Sequence, residues 1–140
     1  MGATSKDVEA SFYEGLRAGD LDKVMACWAD EDDIVCIHPG GPRLIGASNI
    51  RASFAALFAN AGTIPVDVES LHQVDAVASS VHHVLERAEV RTQQGPVHAH
   101  VLATNVYYKT PQGWRMVVHH ASPPIPGQAP EVAHVPKVLH

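Results

Sequence analysis

Residues 97–121 of this 140-residue chain, VHAHVLATNVYYKTPQGWRMVVHHA, carry the pattern that best indicates its fold class. Apolar and polar residues alternate on both sides of the turn signal Thr110-Pro111-Gln112-Gly113, which predicts two long strands in an antiparallel hairpin. The same alternation starts earlier in the chain, and it predicts four long strands over residues 64–75, 78–92, 97–109 and 113–121. The second half of the chain is therefore predicted to be a run of antiparallel strands.

The first half of the chain has helical periodicity instead. Apolar residues spaced three or four apart predict helices over residues 5–18, 20–28 and 48–60. A short β-branched strand over residues 34–38 ends in the turn Pro39-Gly40-Gly41-Pro42. Helices followed by long antiparallel strands predict an α+β fold, in which three helices pack on the concave face of a curved sheet.

Composition indicates one folded domain whose partners are neither membranes nor nucleic acid. With 46% hydrophobic and 18% charged residues the chain can bury a core, and no apolar run approaches the roughly 20 residues of a membrane-spanning helix. A formal net charge of -5 is the wrong sign for a phosphate backbone. Two cysteines and no signal-like apolar stretch are typical of a cytoplasmic protein.

The proline distribution divides the chain into two parts. Residues 123–140 hold five of the ten prolines, a density that is typical of an extended tail. We therefore predict a single domain over residues 1–122 and a proline-rich tail over residues 123–140.

Strand pairing predicts a polar group on one face of the sheet. A tight turn at Thr110 to Gly113 places Ala103 opposite His120, and the turn at Gln94-Gly95 places Ala103 opposite Glu86. Glu86, Asn105 and His120 then share a face whose remaining members are mostly apolar, which resembles a lined pocket. That wall is formed by Val84, Ala88, Val101, Ala103, Tyr107, Trp114, Met116 and Val118. A single β-bulge would exchange the faces beyond it.

The opposite face of the predicted sheet is too apolar at its centre for open water. It carries Leu85, Leu102, Val106 and Val117. We interpret this face as a subunit interface, and we expect a homodimer.

Several short motifs, in this order along residues 5–123, resemble the SnoaL-like branch of the nuclear transport factor 2-like superfamily. They are Gly19-Asp20-Leu21, Trp28 with the acidic turn after it, Cys36-Ile37-His38-Pro39-Gly40-Gly41, Gly113-Trp114-Arg115 and His120-Ala121-Ser122. The last strand is also similar to the association domain of calcium/calmodulin-dependent kinase. The resemblance implies a cone-shaped α+β fold with an internal cavity, dimeric across the sheet.

The superfamily also includes ketosteroid isomerases, scytalone dehydratase and SnoaL-type cyclases. His38 occupies a place similar to that of the aspartate base of the isomerases, and imidazole can also accept a proton at neutral pH. Phe12 stands where those isomerases have a tyrosine, and Tyr13 points about 100° away around the helix. The resemblance therefore implies isomerase, dehydratase or cyclase chemistry. The absence of the tyrosine at position 12 argues against steroid isomerisation.

These residues lead to two hypotheses of function. In the first, a cavity binds a small, largely apolar molecule, and His38 or His120 transfers a proton without a cofactor. Glu86 sets the charge of the histidine and Asn105 holds a carbonyl or hydroxyl group of the substrate. Further cavity candidates are Trp28, Phe54, Tyr107 and Trp114. The alternative is a non-catalytic dimerisation or ligand-sensing module.

Ten histidines also raise the question of a metal site. His98 and His100 share a strand face and His119 follows on a neighbouring strand, a set that could ligate zinc or nickel. No cysteine or aspartate completes the set at ligand spacing. We therefore interpret these histidines as solvated or interfacial, and we predict no metal and no cofactor.

Overall fold

The computed structural model describes residues 3–123 and 125–126, in which three helices and seven strands form. The helices are α1 (Ser5–Ala18), α2 (Leu21–Ala26) and α3 (Ala47–Ala61). The strands are β1 (Val35–Ile37), β2 (Arg43–Ile45), β3 (Val66–Asp75), β4 (Ser79–Thr92), β5 (Gly95–Thr110), β6 (Gly113–Ala121) and β7 (Ile125–Pro126). All three predicted helices and all five predicted strands are present, and the predicted α+β class is confirmed.

One sheet connects all of these strands. Its order is β2-β1-β6-β5-β4-β3, and β7 pairs separately with β5. Strands β1 and β6 run parallel, whereas the other neighbouring pairs are antiparallel. The short strands β2 and β7 were not predicted, because two or three residues are too few to show a period. Apart from Pro123 and β7, the predicted proline-rich tail lies outside the described residues.

The β4–β5 hairpin differs from the predicted register by two residues. Thr92 pairs with Gly95, so Glu86 lies opposite Val101 rather than Ala103. A shift of two residues preserves the face of every side chain, because side chains alternate with a period of two. The predicted pair was wrong, but Glu86 and Asn105 do share a face.

A β-bulge in β6 overturns the predicted position of His120. The β5–β6 pairs Lys109–Trp114 and Tyr107–Met116 form as predicted, but Val106 then pairs with Val118 and Asn105 with His119. The extra residue, Val117, exchanges the two faces beyond it. His119 is consequently buried and His120 is exposed.

The position of the bulge follows from the neighbours of β6. Met116 exchanges backbone hydrogen bonds with the segment after α2: its N–H donates to the Cys27 carbonyl at 2.7 Å, and its carbonyl accepts from Ala29 N–H at 2.9 Å. From Val118 onward the neighbour is β1, where Val35 is the partner. Val117 stands between these two contacts, and it is buried in the core rather than on the predicted outer face.

Helix α1 closes one side of the core. Thr4 and Asp7 form a capping box at its start, and Gly19 ends it in the left-handed conformation with φ 65°. Phe12 is fully buried, and its ring lies 5.0 Å from that of His119 and 5.9 Å from that of Phe54. Helix α1 thus places aromatic side chains between α3 and the sheet.

Within residues 3–123 and 125–126, no helix combines the length and apolar character needed to cross a lipid bilayer.

Candidate functional site

A cavity of about 280 Å³ lies among α1, α3 and the inner face of the sheet. Three titratable side chains line it: His38 after β1, Glu86 from β4 and His119 from β6. The rest of its lining is apolar and consists of Leu16, Pro39, Phe54, Leu57, Ile64, Val66, Ala88 and Val101. The cavity therefore combines an apolar wall with three groups that can accept or donate protons.

The predicted site residues are divided between the cavity and other places. His38, Glu86 and Phe54 line the cavity, and Asn105 is fully buried behind it. Three aromatic candidates are not among its lining residues: Trp28 and Tyr107 are buried in the core, and Trp114 packs against the core. The prediction that His120 faces the cavity is wrong, because the bulge at Val117 turns its side chain to the exposed side.

A chain of hydrogen bonds connects two of the cavity groups. His119 Nδ1 lies 2.6 Å from Asn105 Oδ1. Asn105 Nδ2 donates to the Tyr13 hydroxyl at 2.9 Å, and this hydroxyl donates to Glu86 Oε2 at 2.6 Å. Two buried groups, Asn105 and Tyr13, thus connect His119 to Glu86.

Burial changes the protonation of Glu86. Removal from water raises the pKa of the Glu86 carboxyl to about 7, and the hydrogen bond from Tyr13 partly opposes this increase. An ordinary glutamate is fully ionised at neutral pH. Glu86 is therefore poised between its two protonation states near pH 7.

Burial has the opposite effect on the two histidines, because it disfavours a charged imidazole. The pKa of His119 is lowered to about 3, first by burial and then by the charges of His38 and His120. Burial also lowers the pKa of His38 below its ordinary value. Both imidazoles are neutral at pH 7.

The loop after β1 and helix α3 position His38. Its Nε2 lies 2.9 Å from Ser53 Oγ, which in turn donates to the Ile50 carbonyl at 2.7 Å. Its ring contacts Phe54 edge to face at 4.8 Å. Cys36 Sγ lies 3.8 Å from the same nitrogen, and burial raises the pKa of this thiol to about 12, so the thiol stays protonated.

A second polar cluster lies between α1 and β4 and does not line the cavity. His82 is buried, with Nε2 3.0 Å from Ser5 Oγ and Nδ1 in a close contact with Glu9 Oε2. Its neighbour His83 is exposed on the other face, as the alternation of strand residues requires. This cluster connects the first turns of α1 to the sheet.

The sequence did not predict three of the residues that form the site. His119 was assigned to the outer face, and only the bulge reverses this. Tyr13 was not assigned to the site, because its side chain points away from that of Phe12 around the helix. Phe12 packs into the aromatic core, however, and Tyr13 takes the position that faces the sheet. Ser53 carries no distinguishing sequence signal, because serines are common on exposed helix faces.

No group of three or more histidine, cysteine, aspartate or glutamate side chains is arranged to hold a metal ion within the described part of the chain. His98 is exposed, His100 is buried and His119 belongs to the cavity, so these three residues do not form one cluster.

Comparison with known families gives one match that spans nearly the whole described chain. The model of the SnoaL-like domain matches residues 6–126. No curated protein matches the chain.

Solved structures show the same fold. A protein from Thiobacillus denitrificans, provisionally described as a calcium/calmodulin-dependent protein kinase type II association domain, is 35% identical with a TM-score of 0.79, covering 88% of this chain and 97% of that one. A protein from Streptomyces avermitilis, provisionally described as a dehydratase of the nuclear transport factor 2-like family, is 27% identical with a TM-score of 0.74, covering 84% and 92%. A ketosteroid isomerase-like protein from Erwinia carotovora atroseptica is 16% identical with a TM-score of 0.71, covering 86% and 92%, which is a likeness of fold alone.

Proposed function

The chain belongs to the SnoaL-like domain family, and we propose that its cavity binds a small, largely apolar molecule and transfers a proton within it. The observation that carries the proposal is the meeting of Glu86, His38 and His119 in one apolar-lined cavity. Such an activity is an isomerisation or a dehydration. The similarity to a protein provisionally named a dehydratase supports this class.

Glu86 is the proton carrier in this proposal. A group transfers protons best when its pKa lies near the working pH, and the pKa of Glu86 is about 7. The pKa of His119 is about 3, so its imidazole is a weak base at neutral pH. The roles therefore differ from the sequence hypothesis, in which a histidine moved the proton and Glu86 set its charge.

The step needs only groups of the protein and the bound molecule. The Glu86 carboxylate takes a proton from a C–H or O–H bond, and the electron pair of that bond stays on the molecule. In an isomerisation the carboxyl group returns the proton to another atom of the same molecule. In a dehydration it delivers the proton to the departing hydroxyl group, which leaves as water. The apolar lining limits the water that can compete for the proton.

Deuterium exchange tests the proposal directly. The protein is incubated in D₂O with a panel of one-ring hydroxy ketones, and loss of the proton signal beside the carbonyl is followed by NMR. We expect exchange above the buffer rate, and we expect Glu86→Gln to slow it by about a hundredfold or more, the usual contribution of a positioned acid or base.

His120→Ala is the matched control, because it removes a titratable side chain from the exposed side of β6, next to His119 in sequence. This variant should exchange at the wild-type rate. If Glu86→Gln folds and keeps the wild-type rate, Glu86 is not the proton carrier. If no member of the panel exchanges faster than in buffer, the proposed reaction class is wrong.

A second candidate function is assembly through the outer face of the sheet. Leu85 and Leu102 pair across β4 and β5 on the side opposite to Glu86 and Val101. The similarity to a protein provisionally named an association domain favours this candidate. In this alternative a second copy of the chain binds the outer face and the cavity binds a ligand without a reaction.

A further inference from the structure

We infer that the cavity selects a neutral, one-ring compound that donates a hydrogen bond from a hydroxyl group. The three polar side chains of the cavity all accept hydrogen bonds, the lining carries no cation, and the volume suits a single ring. This inference rests on the proposed function and narrows its substrate class.

The hydrogen-bond chain fixes which nitrogen of His119 faces a ligand. An ionised Glu86 can only accept, so the Tyr13 hydroxyl must donate to it. Tyr13 then accepts from Asn105 Nδ2, which leaves Asn105 Oδ1 facing His119 Nδ1. His119 Nδ1 therefore carries the proton, and Nε2 keeps a lone pair. The charge on one carboxylate thus sets the tautomer of an imidazole three hydrogen bonds away.

The Ser53 hydroxyl fixes the tautomer of His38 in the same way. A serine hydroxyl has one proton, and Ser53 donates it to the Ile50 carbonyl at 2.7 Å. This leaves Ser53 Oγ to accept from His38 Nε2, 2.9 Å away, and Cys36 Sγ, 3.8 Å from the same nitrogen, is a weak acceptor for the same N–H. The remaining nitrogen of this lining residue, Nδ1, carries a lone pair. With Glu86 ionised, the cavity presents three acceptors and no side-chain donor.

The described lining of the cavity contains no cationic side chain that would neutralise an anionic ligand. The described lining residues include no lysine or arginine, and Arg17 donates to the Val66 carbonyl beside the cavity. The titratable groups near Glu86 are Tyr13 of α1, Cys36 of β1, and His38 and His119 in the cavity. Strands β3 and β5 place the uncharged Val68 and Val101 beside it. A carboxylate ligand would meet the Glu86 charge without a counterion.

The volume limits the size of the ligand. A cavity of about 280 Å³ is at or below the small end of typical ligand pockets. A cavity of this size suits one ring with a short substituent better than a fused-ring compound.

The tautomers can be measured without any ligand. Long-range ¹H–¹⁵N correlation spectra distinguish a protonated Nδ1 from a protonated Nε2 in a neutral histidine. At about pH 8 we expect His119 in its Nδ1–H form and His38 in its Nε2–H form. The opposite tautomer at either residue would overturn the inference, because that imidazole would then offer a donor to the ligand.

Three probes of equal non-hydrogen atom count test the selectivity at about pH 8: 1-phenylethanol, which donates, acetophenone, which only accepts, and benzoate, which is anionic. Binding is measured by NMR titration. We expect 1-phenylethanol to bind at least about tenfold more tightly than either of the others, because an acceptor-only ligand leaves buried acceptors unpaired. A naphthyl analogue of the alcohol should bind more weakly despite its larger apolar area. Equal or tighter binding of acetophenone or benzoate overturns the inference.

Ser53→Ala tests the cause of the selectivity. Without the Ser53 hydroxyl His38 can adopt the other tautomer, so the preference for the alcohol over acetophenone should fall severalfold. Ser48→Ala, at an exposed position on the same helix, is the matched control and should keep the preference. An unchanged preference in Ser53→Ala would contradict the assignment of His38.

These outcomes separate the inference from the proposed function. Selective binding of the alcohol without deuterium exchange would support the ligand class and refute the reaction. Exchange that depends on Glu86, together with equal binding of alcohol and ketone, would support the reaction and refute the ligand class.

Discussion

At the scale of single residues, the cavity depends on the protonation of Glu86. This carboxyl group has an apolar wall beside it and one donor, the Tyr13 hydroxyl, at 2.6 Å. One hydrogen bond does not replace the hydration that an ionised carboxylate has in water, so the charged form is disfavoured. Ionisation of Glu86 consequently lowers the free energy of unfolding, and this decrease can be measured.

Glu86→Gln should stabilise the folded protein at alkaline pH. The pKa of Glu86 is about 7 in the folded state against 4.5 in an ordinary glutamate, so the folded state holds an extra proton between these values. Stability conferred by this group is therefore lost as the pH rises from about 4.5 to about 7. At about pH 8 we expect the free energy of unfolding of the variant to exceed that of the wild type by up to about 3 kcal/mol.

Urea unfolding of both proteins across this pH range checks the prediction. The difference between them is the quantity to compare, because the low pKa of His119 removes stability in the opposite direction, as the pH falls below about 6.5. The difference should vanish near pH 4.5. A constant difference at every pH would show that Glu86 has an ordinary pKa in the folded protein.

Tyr13→Phe should raise the pKa of Glu86 further. The Tyr13 hydroxyl stabilises the ionised carboxylate, so its removal favours the protonated form. Carbon-13 NMR of the Glu86 carboxyl, titrated against pH, should give a midpoint above about 7. Tyr108→Phe removes a hydroxyl from a side chain that is 51% exposed and should leave the midpoint unchanged. A lower midpoint in Tyr13→Phe would contradict the hydrogen-bond chain.

The sequence was sufficient to identify His38, Glu86 and Asn105 as inward-facing polar groups, because strand alternation and the glycine-rich turn after β1 are local signals. The positions of His119 and Tyr13 are not local in this sense. His119 depends on one extra residue in β6, and Tyr13 depends on how α1 rotates once Phe12 fills the core. Only the packed arrangement decides such rotations.

At the scale of elements, the close approach of α1 to the end of α3 constrains the first half of the fold. A Cβ atom at Gly19 would lie 2.5 Å from the Gly62 carbonyl oxygen. Gly19 also has φ 65°, a conformation that side chains with a Cβ atom disfavour. The end of α1 therefore requires glycine for two separate reasons.

Gly19→Ala and Gly40→Ala separate these reasons. Both positions have positive φ, but a Cβ at Gly40 meets no atom within 4 Å. We expect Gly40→Ala to cost about 1 kcal/mol of stability and Gly19→Ala about 2–4 kcal/mol, because only Gly19 adds the clash. Denaturant unfolding of both variants checks this: the midpoints should shift, while the dependence of the free energy of unfolding on denaturant concentration stays the same. Equal losses would show that the backbone between α1 and α3 moves apart without cost.

The number and type of the long elements were predictable, because ten or more residues show their period clearly. Turn residues also gave the register of the β5–β6 hairpin correctly near its tip, at Lys109 and Tyr107. The predicted register fails at the point where the neighbour of β6 changes from the segment around Trp28 to strand β1. That exchange is a property of the assembled sheet and has no sign in the sequence of β6.

At the scale of the whole molecule, the sheet has one face covered by helices and the cavity, and a second face with apolar residues at its centre. Val106 alternates with the inward-facing Asn105 and Tyr107, so its side chain belongs to the second face. If two copies of the chain associate through this face, a charge at Val106 is buried without a partner and opposes association.

For the dimer proposed through this face, Val106→Glu should therefore lower the affinity between the two copies about a hundredfold or more, which sedimentation velocity measures as a shift from dimer to monomer. Val77→Glu introduces the same charge at a turn position that is 94% exposed and should leave the sedimentation unchanged. A Val106→Glu protein that remains dimeric would exclude this face as the interface.

The bulge in β6 and the doublet His119–His120 together have a consequence for the tolerance of this fold to change. Beyond Val117, insertion or loss of one residue moves every side chain of the strand end to the other face. At most positions of a strand, that change would place a different type of side chain in the cavity. In this strand His119 faces the cavity in the observed register, and His120 would face it after a shift of one residue. The cavity would therefore keep one imidazole after a shift that would remove a single histidine.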